Sequence, residues 1–388
     1  MAAKDWQSAR RLLCVRLDAL GDVLMSTPAI RALRHGRPDR HVALLTSPAG
    51  AELAGLIPDV DEVIEYEAPW MKATPLRPDA TADERMIRRL AAGRFDAAAI
   101  FTVFSQNPLP PAMLCYLAGV PLRLAHCREN PYQLLTDWVS DDEPQGRVRH
   151  EVRRQLDLAA AVGCRTEDER LAISVPGRAR REVRSMLVAR GLSAHRRWVV
   201  IHPGASAPSR RYPPELFAQT AAELVHQQGF QVVLTGTAAE RRLVDTIGAG
   251  LGRRALSLVG QLSLAELAAL LSMAPLLLSN NSGPVHVAAA VGTPVVDLYA
   301  LTNPQHAPWM VPHRLLYRDV ECRYCFKSAC PMEHHRCLRG VQPHEVVAAV
   351  RDLYDEVEAG HWGTTEDSRL PPVPATRPAA LETTPISV

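Results

Sequence analysis

From Leu12 onward, short apolar runs alternate with longer stretches in which apolar residues recur every three or four positions, the pattern of strands and helices in βαβ units. The predicted strands of a first series are Leu12–Leu17, Val42–Thr46, Glu62–Tyr66 and Ala97–Phe101. A second series starts at Trp198–Ile201 and continues through Gln231–Leu234, Ala255–Leu258, Leu276–Ser279 and Val295–Tyr299. Two doubly wound α/β halves with parallel sheets are implied. Between them, 141–148 reads as a loop, 150–162 and 178–190 as helices, and Leu171–Val175 as a short strand. The boundary therefore lies near 175–195, giving a first domain over 1–180 and a second over 181–360. Beyond Gly363 the chain has five prolines and no aromatic residue, so 361–388 is predicted to be a disordered tail.

A length of 388 residues fits two domains of ordinary size. Lys plus Arg is 44 and Asp plus Glu is 42, a net charge of +2, which is too balanced for a protein held to polyanions by charge alone. Nucleic acid is not an expected partner. No apolar run reaches the length of a membrane span, and charged residues interrupt the amino-terminal stretch where a signal peptide would need its apolar segment. The protein is expected in the cytosol, where eight cysteines read as reduced thiols rather than a disulfide framework.

Three loops carry chemistry, each at the carboxyl end of a predicted strand, where open α/β sheets bind ligands. The first is DALGDV, Asp18–Val23, followed by a helix over about 23–33. It offers Asp22 either as a catalytic base or as a helix cap. The second is HPGAS, His202–Ser206, whose small residues leave the Gly204, Ala205 and Ser206 amides open to an anion, with Arg210 and Arg211 downstream as cations. The third is SNNSGPVHV, in which Ser282 caps a helix beginning near Pro284, Gly283 offers its amide, and His286 lies in the first turn. A fourth loop, TGTAAE, puts Glu240 where it accepts ribose hydroxyls or merely complements a helix dipole.

Other patterns fail on context. GAGLG at Gly248–Gly252 follows a helix rather than a strand, so it is not a dinucleotide fingerprint. DVD at Asp59–Asp61 stands behind Pro58 and reads as a turn. Arg31, Arg34, Arg37 and Arg40 read as a solvated helix face. Cys322, Cys325, Cys330 and Cys337, with His334 and His335 beside them, are either a structural zinc site or packed reduced thiols.

Taken in order, RLDALGDVLMSTPAIRAL, HPGASAPSRRYPP, TGTAAER, NSGPVHVAAAVGTPVV and CRYCFKSACPMEHHRCL resemble glycosyltransferase family 9, the bacterial lipopolysaccharide heptosyltransferases, over roughly 11–350. The resemblance implies a GT-B architecture, two Rossmann-like domains facing a cleft, with acceptor binding in the first and nucleotide-sugar binding in the second. It implies a metal-independent inverting transfer from ADP-heptose to an anionic, lipid-linked inner-core acceptor, with no cofactor required. Such an acceptor would bring the protein to the inner face of the cytoplasmic membrane as a peripheral contact. By the same resemblance Asp22 is the base and Arg210 meets the donor phosphates. Glu240 contacts the nucleoside, Asn281, Ser282, Gly283 and His286 hold the donor, and Arg123 and Arg128 face an acidic acceptor. Two positions depart from the family pattern: Arg210 stands for Lys, and Asn281 for Asp, which removes a charge beside the donor. Asn281 keeps open a non-catalytic sugar-nucleotide or glycan-binding role, and a nucleotide-sugar epimerase is the enzymatic alternative.

Overall fold

A computed structural model of the chain describes residues 5–72, 74–146, 148–193, 195–360 and 370–371. The tail expected over 361–388 lies outside the described residues apart from 370–371. The chain divides into two compact units between Ser174 and Val175.

The first unit contains strands β1 (Arg11–Arg16), β2 (His41–Thr46), β3 (Glu62–Glu65), β4 (Ala97–Ile100), β5 (Leu122–Cys127) and β6 (Asp137–Ser140). Its helices are α1 (Leu20–His35), α2 (Pro48–Ala54), α3 (Thr81–Ala92), α4 (Leu109–Leu117) and α5 (Glu151–Ala161). The strands form one parallel sheet in the order β3-β2-β1-β4-β5-β6. Residues 12–15 of β1 and all of β4 are buried, as parallel strands covered on both faces require. Burying a side chain such as Leu13 or Ile100 stabilises the fold by roughly 1.5–3 kcal/mol.

The second unit opens with α6 (Gly177–Ala189), then runs β7 (Trp198–His202), α7 (Pro214–His226), β8 (Gln231–Leu234), α8 (Arg241–Gly248), β9 (Ala255–Ser257) and α9 (Leu264–Met273). It continues with β10 (Leu277–Asn280), α10 (Gly283–Val291), β11 (Val295–Leu298), β12 (His313–Leu316), α11 (Arg336–Arg339) and α12 (Pro343–Glu358). Its parallel sheet has the order β12-β11-β10-β7-β8-β9. The core joins β7, β8 and β11 to α7 and α12, where Phe230 meets Tyr354 edge-on with ring centroids 5.3 Å apart.

Strand order reverses between β1 and β4 in the first sheet and between β7 and β10 in the second. At such a point the loops leaving the strands diverge and open a crevice. Asp18 and Asp22 follow β1, while the 203–206 and 281–283 segments follow β7 and β10.

Three strands of the structure are absent from the sequence prediction. β5 buries Arg123 and His126, β6 alternates half-buried and exposed positions, and β12 buries Arg314, so none presents a continuous apolar run. The strand expected at Leu171–Val175 does not form. There the Ala172 amide donates to Thr27 Oγ1 (3.1 Å) and the Ser174 amide to Leu56 O (2.7 Å), so the segment bonds to a side chain and a loop instead of a ladder. Among the described residues, no helix is long and apolar enough to cross a membrane.

Candidate active site

In the first unit, α1 begins at Leu20, earlier than the sequence predicted, and Ala19 occupies its cap position. Asp22 is therefore the third helical residue, and its carboxylate points to Arg16 (Nη2 to Oδ1, 3.3 Å). The cap reading of Asp22 does not hold. The Arg16 side chain is fully buried and meets two more carboxylates, Asp18 at 2.8 Å and Glu151 at 2.9 Å. The Glu151 contact is an aligned hydrogen bond, whereas the contacts through Nε and Nη2 are ion pairs with poorer alignment. Burial works against the guanidinium charge, but the three acids outweigh it and hold Arg16 above its ordinary pKa. Burial raises the Asp18 carboxyl against the pull of Arg16 and of the amide that Gln106 donates to it. Side-chain exposure is 9% for Asp18, 0% for Glu151 and 19% for Asp22, so Asp22 is the member most open to a substrate.

The polar layer continues inward. Gln155 Nε2 donates to Glu151 (2.7 Å) and to Thr102 O (3.1 Å), which also accepts from Arg154 Nε (3.0 Å). Arg154 pairs with Asp141 and Glu143, both at 2.8 Å, and Asp141 lies 3.8 Å from Arg128. A buried chain of charge thus runs from Asp22 to Arg128. The two candidate acceptor arginines differ sharply. Arg123 spends its guanidinium on backbone oxygens of Leu134, Val120, Pro121 and Gln133, which makes it a clamp for the turn between β5 and β6. Arg128 keeps 46% of its side chain exposed, with one nitrogen anchored on Phe104 O and Glu143 O. Arg31, Arg34 and Arg37 are not a solvated face. They pair with Asp59, Asp61 and Asp39, while Arg40 donates to Ala9 O.

In the second unit, the switch point gathers the remaining predicted residues. Asn280 staples the loop after β7, donating to Pro203 O (2.7 Å) and accepting from the Tyr212 amide (2.9 Å). A Cβ on Gly204 would sit 1.9 Å from Glu240 Oε1, so the bare backbone there is what lets the Glu240 carboxylate close in. Glu240 uses Oε2 to accept from the Thr237 amide and hydroxyl (2.7 and 3.0 Å). Ser282 stands at the cap position of α10, yet its hydroxyl donates to Gly204 O (3.3 Å) and Asn280 O (3.1 Å) rather than accepting from the helix. The start of α10 lacks the side-chain cap expected of Ser282, and its dipole remains available to an anion. Arg211 is tied back to Ala205 O (2.7 Å). Arg210, by contrast, makes no side-chain hydrogen bond among the described residues. His286 is buried, with its ring 6.3 Å from that of His306 and perpendicular to it.

Sequence reading missed Asp297, a fully buried acid on β11. Its Oδ2 accepts from Asn281 Nδ2 at 2.8 Å. Burial pushes its carboxyl up to about 8 from 3.8, against the Asn281 hydrogen bond and the Arg210 charge. Between those values the folded chain keeps a proton that the unfolded chain has released, so this group lowers stability as pH rises. His202 is held down to about 4 from 6.5 by burial, against the Glu240 charge. It costs stability as pH falls through that window, because the unfolded chain takes up the proton first. Above pH 6.5 only Asp297 of the two still titrates. The Asp297→Asn variant is expected to gain Tm over the parent by a margin that widens from pH 6.5 to pH 8; a margin constant with pH would contradict the buried acid.

Cys322, Cys325, Cys330 and Cys337 line one small cavity together with His334 and Ser209. All four are free thiols, and among the described residues no three His, Cys, Asp or Glu side chains are arranged to hold a metal ion. Burial pushes the Cys337 thiol up to about 11, and the neighbouring thiols act in the same direction. Of the two readings of the cluster, the structure has packed thiols rather than zinc. The loop carrying them docks on the second unit's anion loop, where Ser209 Oγ donates to Lys327 O (2.8 Å).

The family model described as Glycosyltransferase family 9 (heptosyltransferase) matches residues 84–336. The chain belongs to glycosyltransferase family 9. Lipopolysaccharide heptosyltransferase 2 of Escherichia coli K12 is 26% identical to this family member, over 90% of this chain and 100% of that one. A glycosyl transferase family 9 structure from Veillonella parvula DSM 2008 superposes with a TM-score of 0.75 at 21% identity, covering 91% of this chain and 99% of that one. The ADP-heptose lps heptosyltransferase II structure of E. coli gives 0.70 at 23%, covering 90% and 99%. This glycosyltransferase thus has the GT-B type of fold, two parallel α/β units. Sequence reading overlooked Arg16, Glu151 and Asp297 in it. Two of them had a visible signal: Arg16 and Asp297 are charges inside the apolar strands RLLCVR and VVDL.

Proposed function

We propose that this glycosyltransferase moves heptose from ADP-heptose to an anionic, lipid-linked inner-core acceptor of lipopolysaccharide, with inversion at the anomeric carbon and without a catalytic metal. The observation that carries the reading is Arg210, a guanidinium with no side-chain hydrogen bond on the loop after β7, where the uncapped start of α10 is also held through Ser282 and Gly204. As the glycosidic bond breaks, negative charge grows on the departing ADP. A guanidinium, the 204–206 amides and a helix start that is already oriented stabilise that charge without reorganising. The Oε1 of Glu240, left over from its capping contacts, accepts from ribose. In the first unit Asp22 takes the proton of the attacking hydroxyl, and Arg128 rather than Arg123 meets the acidic acceptor. The names of the E. coli relatives support the donor and acceptor classes.

A thermal-shift screen of ADP-, UDP- and GDP-sugars followed by transfer in EDTA tests the reading. ADP-heptose should give the largest shift, and product of inverted configuration should form at full rate with the chelator present. Rescue only by added metal, donor conversion without acceptor, or binding without turnover would each replace the reading with another.

A further inference from the structure

Asn281 lies between β10 and α10, next to Ser282 and Gly283. Its amide nitrogen carries two hydrogens. One goes to Asp297 Oδ2 (2.8 Å) and the other to His306 O (2.8 Å). Both partners are acceptors, so the amide has only one workable orientation: turning it over would set its oxygen against two other oxygens. The nitrogen end is fully used, and Asn281 Oδ1 makes no hydrogen bond among the described residues. A free asparagine offers a ligand both donor and acceptor. This one offers an acceptor alone, as a carboxylate would, but without the charge.

Asp297 has no evident packing reason to be acidic. It stands among Val295, Val296 and Leu298 on a wholly buried strand, and its Oδ1 is buried with no hydrogen-bond partner. A buried acid left half-satisfied costs stability and calls for an explanation. The register places it opposite Ser279 of β10, one strand over from the turn that carries Asn281. From there it reaches the amide, and its charge attracts Arg210.

We propose that Asp297 is a positioning residue that locks Asn281 with its carbonyl oxygen facing the donor, where it accepts a hydrogen bond from a hydroxyl of the transferred sugar. The inference rests on the second unit being the donor site. It deepens that reading by naming what distinguishes a sugar nucleotide from the bare nucleotide there. Asn281 touches the sugar; Asp297 acts through it. The acidic function that Asn281 lacks at its own position is thereby met by an acid on the adjacent strand.

The test titrates ADP and ADP-heptose into the parent, Asp297→Ala, Asp297→Asn, Asn281→Asp and the double variant Asn281→Asp/Asp297→Ala. In Asp297→Ala the amide is free to turn, and ADP-heptose affinity should fall about tenfold while ADP affinity stays within about twofold, the size of one lost hydrogen bond. Asp297→Asn keeps an acceptor for the Asn281 amide and should bind both ligands like the parent, a rescue that general loosening of the fold would not produce. Asn281→Asp alone sets two acids against each other and should weaken ADP-heptose binding. The same change on Asp297→Ala should instead strengthen it at least about fivefold, so that one substitution reverses sign with its background. Equal losses of ADP and ADP-heptose in Asp297→Ala, or a double variant no better than Asp297→Ala, would overturn the role of Asp297. A parent that binds ADP but gains nothing from the heptose, or binds neither, would overturn the donor-site reading itself.

Discussion

Asp22→Asn is expected to abolish heptosyl transfer, with kcat down roughly 10²- to 10⁴-fold, the usual cost of losing a general base. The substitution keeps the shape of the side chain and leaves Arg16 its contacts with Asp18 and Glu151, so the Tm should stay near the parent's. Acidic neighbours explain why the residue suits the task. With three carboxylates around one guanidinium, the cluster carries more negative than positive charge, and a proton arriving on its most exposed member relieves that excess. Single-turnover assays with saturating donor isolate the chemical step; turnover near the parent's would remove Asp22 from the base role.

Arg16→Met should produce the largest loss of stability. The side chain is fully buried and bridges three acids, of which Glu151 is also wholly buried. A buried ion pair adds little net stability when intact, yet removing one partner leaves uncompensated charge behind and costs about 3–5 kcal/mol. Here three acids lose their shared cation, so the first unit should melt well before the second. Acidification should narrow the gap, since protonating clustered carboxylates removes their repulsion. Thermal melts at pH 7 and pH 5 check both points, and a variant as stable as the parent at pH 7 would show that the cluster does not hold the first unit together.

How much of this could be read in the chain depended on whether a feature was local. The apolar strands β1, β2, β4, β7, β8, β10 and β11 announce themselves because parallel strands buried on both faces leave continuous apolar runs. The ligand loops follow from where those strands end. β5 and β12 stayed hidden because Arg123, His126 and Arg314 break the apolar pattern, although all three are buried. The acidic cluster was less legible still. Its members come from β1, the loop after it, α1 and α5, and Arg16 and Glu151 are 135 positions apart, so no spacing rule links them. The Asn281–Asp297 contact likewise depends on strand register, which the sequence does not print. Ser282 was read as an ordinary cap because its position is right; only the fold shows its hydroxyl turned toward Gly204.

The account divides the labour between the units: the second holds the nucleotide sugar and the first removes a proton. Calorimetric titration of ADP-heptose into Asp22→Asn and Arg210→Ala addresses that division directly. Asp22→Asn should bind the donor as the parent does, while Arg210→Ala, having lost a charge-assisted contact, should bind at least about tenfold more weakly. Donor affinity lost with Asp22 and kept without Arg210 would contradict the account.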